Sequence, residues 1–350
     1  MDIGKLLNIA TEKNASDIHI SVGIPPVLRV NGELEMLESE RLSPDHTKAL
    51  VYEILGEKGI SELEEKGEID RSYSRVGVGR YRVNAYKQRG SYGLALRIIP
   101  LTIPSINELG LPAVVGDLAK LPRGLILVTG PTGSGKSTTL AAMIDLINKE
   151  RKCHILTLED PIEYLHKHNK SMVNQREIGL DSHSFTNSLR AALRQDPDVI
   201  LVGEMRDLET ISIALTAAET GHLVLSTLHT VGSAKTIDRV IDVFPPHQQE
   251  QVRVQFASVI QAIVSQQLLV KSDGSGRVAA FEVMMANTAI RNLIREGKIH
   301  QIDTAIQTGS KFKMQTMDNS LLDLYKKGVI TKELALMQAV HQDNLRKYII

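Results

Sequence analysis

Gly130-Pro131-Thr132-Gly133-Ser134-Gly135-Lys136-Ser137 is the stretch that decides the fold class of this chain. It follows a continuous apolar run, Leu125-Ile126-Leu127-Val128, and precedes a helical pattern over residues 136–148. It satisfies GxxxxGK[ST] at every fixed position, and each residue type has a physical reason. The glycines let backbone N–H groups turn inward onto phosphate oxygens. The helix that begins there directs its positive end at the anion. Lys136 suits the β- and γ-phosphates of ATP, and the Ser137 hydroxyl suits Mg²⁺. The candidate nucleotide-binding residues are thus Gly130, Pro131, Thr132, Gly133, Ser134, Gly135, Lys136, Ser137 and Thr138. The plain alternative is a glycine-rich turn, and the strand before it and helix after it count against that.

Working outward, residues 154–158, 198–202 and 223–226 are further apolar runs, separated by helical segments. Apolar strands alternating with helices imply a parallel sheet covered on both faces, so the fold class is α/β. After about residue 287 the pattern is helical only, over 289–296, 301–307, 318–327 and 331–348. Upstream, residues 1–100 mix short helices and strands. Residues 17–20 and 27–30 alternate as half-buried strands, Asn31-Gly32 is a hairpin signal, and 80–86 and 94–99 are further strands. Pro100, Pro104, Pro112 and Pro122 then suggest an extended, semi-rigid linker. The expected division is an N-terminal domain over 1–100, a linker over 101–123, an ATPase core over 124–286 and a C-terminal helical region over 287–350.

Three carboxylate and histidine groups follow the strands. Asp198-Val199-Ile200-Leu201-Val202-Gly203-Glu204 ends a buried strand in an acid, beside the phosphate site of such a sheet. Glu204 there orients or deprotonates the attacking water; otherwise it caps the helix over 207–219. Glu159, Asp160 and Glu163 cluster after another strand, either as Mg²⁺ or water-positioning groups or as a solvated turn. His222 and His229 flank the strand over 223–228, and only His229 stands at its C-terminal end, where the γ-phosphate belongs.

Composition narrows the classes. Among 350 residues, 41 are basic and 41 acidic, so no broad basic field exists for a nucleic-acid backbone. A single cysteine, Cys153, excludes a disulfide framework and a cysteine-rich zinc site. The N-terminal residues carry no apolar signal segment, and no apolar run is long enough to cross a bilayer. A cytoplasmic protein, peripheral at most to a membrane, is the expectation.

In order, the phosphate loop, an acidic box (155–166), the strand ending at Glu204 (199–207) and a histidine box (221–230) resemble the secretion ATPase superfamily of type II secretion and type IV pilus motors, the GspE/PilT family. Ala289-Ile290-Arg291-Asn292-Leu293-Ile294-Arg295-Glu296 matches the AIRNLIRE motif of its retraction branch. Ser16-Asp17-Ile18-His19 and Arg80-Tyr81-Arg82-Val83-Asn84 are similar to that branch too. Extension and many secretion ATPases carry a tetracysteine zinc insertion and a long extra N-terminal domain. Here no cysteine follows Cys153, and about 120 residues precede the loop.

The resemblance implies a PAS-like α+β N-terminal domain, a RecA-like P-loop core and a homohexamer. It implies Glu204, Glu163, His229 and His222 as catalytic residues, and Arg82 and Arg97 completing the nucleotide site, with Arg80 assisting. It implies Arg190 and Arg194 facing a neighbouring site, and Ser137, Glu159 and Asp160 around the nucleotide's Mg²⁺. Residues 289–296 would be needed for retraction; their own periodicity gives only an apolar stripe, Ile290, Leu293 and Ile294, with Arg291 and Arg295 on another face. The implied partners are a PilC-like inner-membrane platform protein and, as antagonist, a PilB-like extension ATPase, with neither zinc nor nucleic acid. The implied outcome is pilus disassembly and twitching motility.

Overall fold

Alternating apolar residues build the first sheet. In Tyr81-Arg82-Val83-Asn84-Ala85, every second side chain is buried and Arg82 is exposed. The computed structural model describes residues 2–30, 32–75, 77–99 and 102–349. They divide into one unit of Met1–Thr102 with Pro161–Leu165, and a second of Ile103–Asp160 with His166–Ile350.

The first unit runs α1 (Ile3–Glu12), β1 (Asp17–Ile20), β2 (Val27–Val30), β3 (Glu33–Met36), α2 (Pro44–Lys66), β4 (Glu68–Arg75), β5 (Gly79–Gln88) and β6 (Ser91–Ile99). Its sheet is antiparallel, in the order β3-β2-β1-β6-β5-β4. The apolar face packs with Ile3, Leu6, Leu7, Leu50, Val51 and Leu63 from the two helices. The other face carries the register row Arg29, Asp17, Arg97, Arg82, Ser72 across five strands. The strands expected at 17–20, 27–30, 80–86 and 94–99 are present; Asn31 of the hairpin signal lies outside the described residues. Not all the helices are short. α2 has 23 residues, opened by the Ser43 cap and bent at Gly56 (φ 64°).

The second unit runs α3 (Ala113–Ala119), β7 (Gly124–Thr129), α4 (Lys136–Glu150), β8 (His154–Glu159), β9 (Met172–Glu177), α5 (Phe185–Ala192), β10 (Val199–Val202), α6 (Leu208–Glu219), β11 (Leu223–Leu228) and α7 (Ser233–Asp242). It continues with α8 (Pro246–Val259), β12 (Ile260–Val270), β13 (Arg277–Met285), α9 (Thr288–Arg295), α10 (Ile302–Gln307), α11 (Met317–Lys326), α12 (Lys332–Gln338) and α13 (Gln342–Arg346). The sheet order is β13-β12-β7-β11-β10-β8-β9, parallel throughout except for the β12–β13 pair. β7, β10 and β11 are buried along their whole length, which is why they read as unbroken apolar runs. One core lies on the α3–α4 face, with Val115, Leu118, Ile126, Ile144 and Ile147. Another lies on the face covered by α5 to α9, with Leu189, Ile211, Phe256, Ile290 and Ile294.

Two sequence expectations need correction. The extended linker over 101–123 is not what the structure shows beyond residue 102. Ala113–Ala119 is a helix starting after Pro112, and Val114, Val115, Leu118 and Ala119 are buried in the second unit's core. Proline is tolerated where a helix begins, so its density masked the apolar i, i+1, i+4, i+5 pattern. Pro100 and Leu101 lie outside the described residues. The helix expected over 331–348 is two helices, α12 and α13. Asp318 holds the break between them, its carboxylate accepting from the backbone N–H of Val340 (2.7 Å) and His341 (2.9 Å). No helix among the described residues is long and apolar enough to cross a membrane.

Candidate active site

The loop between β7 and α4 takes its shape from three glycines with positive φ: Gly130 (143°), Gly133 (79°) and Gly135 (89°). At Gly130 a side chain is excluded outright, because a Cβ would stand 2.2 Å from the carbonyl oxygen of Gln266. Lys136 is buried, and its Nζ donates to the carbonyls of Gly130 (2.9 Å) and Pro131 (3.1 Å), which places the ammonium inside the loop. Ser137 is exposed in the first turn of α4. The glycine cradle, the enclosed lysine and the helix N-terminus fit a polyphosphate, with Ser137 able to ligate the Mg²⁺ that accompanies it.

Gln266, only 2% exposed on β12, fastens this loop. Its Nε2 donates to the Ser134 carbonyl (2.6 Å), and its Oε1 accepts from Thr139 Oγ1 (2.8 Å). Sequence reasoning missed it. The signal was a polar triplet, Ser265-Gln266-Gln267, inside an otherwise apolar strand, Ile263 to Leu269.

Glu204 follows β10, and Thr227 on the adjacent β11 ties that strand end down by donating to the Gly203 carbonyl (2.7 Å). Glu204 Oε2 accepts from Arg206 Nη2 at 2.8 Å and lies 3.4 Å from His229 Nε2. His229 Nδ1 lies 3.3 Å from Thr132 Oγ1 in the phosphate loop. Burial pushes the Glu204 carboxyl up, but Arg206 and His229 outweigh it and hold the group below the ordinary glutamate value. The helix cap that was the alternative role for Glu204 belongs to Asp207, whose carboxylate accepts from the Thr210 backbone N–H (2.8 Å). Arg206, 73% exposed, was not singled out in the sequence; its arginine–acid spacing carries no signal of its own.

The remaining candidates are dispersed. Glu159 Oε1 accepts from Thr157 Oγ1 (2.6 Å) and Gln175 Nε2 (3.2 Å) at the end of β8. Asp160 acts on Arg206 through its charge. Glu163 is exposed on Pro161–Leu165, the segment that groups with the first unit. Among the described residues no three His, Cys, Asp or Glu side chains are gathered as a metal-binding group. His222 precedes β11, about 20 Å from His229 at the strand's far end. It closes the end of α6, with Nδ1 2.9 Å from the Ala217 carbonyl. Arg190 pairs with Glu209 on α6, and Arg194 is exposed after α5.

In the first unit, Arg82 and Arg97 are direct cross-strand neighbours on the polar sheet face, and both are exposed. Arg97 Nε donates to Asp17 at 2.9 Å. Arg80 shares the face, its guanidinium donating to Ser72 (3.0 Å) and Ser74 (3.2 Å). In α9, Ile290 and Ile294 are core residues and Leu293 packs against them. Arg291 is half-buried and donates to the carbonyls of Ala286 (2.9 Å) and Ser258 (2.9 Å), and to that of Ala257, so it closes the end of α8. Ala289, Asn292, Arg295 and Glu296 form the exposed edge.

A parallel sheet that delivers an acid and a histidine to the mouth of a glycine-cradled lysine makes the second unit a RecA-like P-loop ATPase. A family model described as Type II/IV secretion system protein matches residues 94–333, and the chain belongs to that family. It is 50% identical over 344 residues to the type IV pilus retractation ATPase PilT of Pseudomonas aeruginosa, covering 98% of this chain and 100% of that protein. It is 48% identical over 320 residues to a twitching motility protein of Neisseria gonorrhoeae, covering 91% and 86%. A crystal structure of the pilus retraction motor PilT with bound ADP superposes with a TM-score of 0.94 at 51% identity, covering 99% of each chain.

Proposed function

We propose that this chain is an ATPase motor that hydrolyses MgATP to retract type IV pili. The carrying observation is His229, which lies within 3.4 Å of Glu204 and 3.3 Å of Thr132 and so links the acid to the phosphate loop. In this reading residues 130–138 hold the nucleotide, and Ser137 with the substrate phosphates holds Mg²⁺, which neutralises charge developing on the transferred phosphoryl group. Glu204 orients and deprotonates the attacking water, His229 reports the γ-phosphate to the loop, and Glu163 helps position that cluster. His222, at the far end of β11, acts on the fold of α6 rather than on the reacting atoms.

The working unit is a ring of six copies. Arg82 and Arg97 complete the nucleotide site from the first unit, since exposed guanidinium forks pair with phosphate oxygens and stay charged. Arg190 and Arg194 face the neighbouring copy. The similarity to pilus retraction ATPases supports assigning the work to an inner-membrane platform protein, opposite an extension ATPase, with the ring peripheral at the cytoplasmic face. The exposed edge of α9 is its retraction-specific surface.

The test is deletion with complementation, paired with phosphate release by the purified protein. Loss of twitching with surface pili retained, rescued by wild type but not by Glu204→Ala, is the expected result. Turnover at the wild-type rate in Glu204→Gln, with Lys136→Ala inactive as control, contradicts the assignment of the base.

A further inference from the structure

The C-terminal helices and β13 line a half-open cavity of about 400 Å³, in the size range of small-ligand sites. Its wall includes Glu282 on β13, Asp303 on α10, Asp318 and Lys326 on α11, and His341 ahead of α13. Leu322 and Leu345 supply apolar wall, and Leu345 is 3% exposed.

Glu282 is the unusual member. It is 6% exposed, and its Oε1 accepts both the backbone N–H and the hydroxyl of Ser233, each at 2.7 Å. Among the described residues its second oxygen, Oε2, takes no hydrogen bond and is not one of the fully buried polar atoms left without a partner, so it keeps access to the cavity. Asp318 is already engaged by the backbone N–H groups of Val340 and His341. Asp303 is exposed and forms no ion pair among the described residues. Acids therefore outnumber the single lysine around the wall, and two of them are open to a ligand. They do not converge as a metal-binding group. Two acids open to the cavity, with apolar wall beside them, match an organic cation carrying a hydrocarbon stem better than a metal ion.

We propose that this cavity binds a small organic amine, its ammonium group held by Glu282 and Asp303 and its hydrocarbon stem lying against Leu322 and Leu345. Ser233 opens α7 four residues after His229, so the carboxylate that takes the amine is the one that fixes the start of α7. Burial pushes the Glu282 carboxyl up, Ser233 offsets part of this, and Asp303 and Asp318 push it further up. The amine binds as R–NH₃⁺ and pairs with the carboxylates; Asp318, Lys326, His341 and Tyr348 are the other charged or titratable groups on the wall.

The experiment is calorimetric titration of the full chain with 1,5-diaminopentane, with Mg²⁺ alone as a control. One saturable site per chain is expected. Glu282→Gln keeps an acceptor for Ser233, so it folds, and it weakens binding about thirtyfold. Asp303→Asn, at an exposed position, weakens it about threefold. No saturable heat, unchanged affinity in Glu282→Gln, or displacement of the diamine by Mg²⁺ overturns the proposal. None of these readouts depends on ATP turnover.

Discussion

His229 stands 3.4 Å from Glu204 through Nε2, while its Nδ1 lies 3.3 Å from the Thr132 hydroxyl. One imidazole thus touches the ends of two elements that are far apart in the chain, and any change in the phosphate loop is felt at the acid. Arg206 holds the same carboxylate oxygen from the other side, at 2.8 Å.

Arg206→Met shifts the pH profile of turnover. A base held below the ordinary glutamate value of 4.5 acts as carboxylate above its own pKa, and its contribution is lost as pH falls through it. Removing Arg206 leaves burial, which pushes upward, less opposed. The acid limb of kcat at saturating ATP moves to higher pH. Arg206 is 73% exposed, so the fold is retained. An acid limb that stays in place shows that Arg206 does not set the protonation of Glu204.

Gln266→Ala weakens both the fold and the loop. It strips partners from the Ser134 carbonyl and the Thr139 hydroxyl, in surroundings where Gln266 is 2% exposed. The expected cost is about 1–3 kcal/mol of stability, read by denaturant unfolding. ATP affinity falls about tenfold, as the cradle loses about 1.4 kcal/mol of preorganisation. Unchanged nucleotide affinity in a destabilised variant would assign Gln266 to packing alone.

Arg291→Ala and Arg295→Ala separate the two halves of α9. Arg291 satisfies carbonyls at the end of α8, so its loss costs about 1.5–3 kcal/mol and lowers Tm. Arg295 is exposed and donates only to Asn292 among the described residues, so its truncation stays within about 0.5 kcal/mol. Arg295→Ala keeps turnover and Tm while twitching falls. Wild-type twitching in that variant removes the exposed edge from the retraction machinery.

The local parts of this protein were legible because local chemistry fixes them. Glycine at 130, 133 and 135 is demanded by backbone angles, and the strand–loop–helix order follows from an apolar run that ends at Val128. Proline density misled over 101–123, since a proline before a helix and a proline in an extended segment look alike until the apolar faces are packed. Aspartate at 207 and glutamate at 204 are both acids near a helix start, and only their hydrogen bonds tell the cap from the carboxylate that faces Arg206 and His229.

The sequence alone determined that a triphosphate-binding loop sits on a parallel sheet, which residues form the loop, and which acid and histidine end the neighbouring strands. Periodicity and backbone sterics act over a few residues, so they can be read along the chain. Tertiary structure alone decided that His229 reaches both Glu204 and Thr132, and that Arg206 shares the acid. It also decided that Gln266, 132 residues from Ser134, holds the loop. Those contacts are set by strand order across the sheet, and no local pattern encodes which distant strands become neighbours.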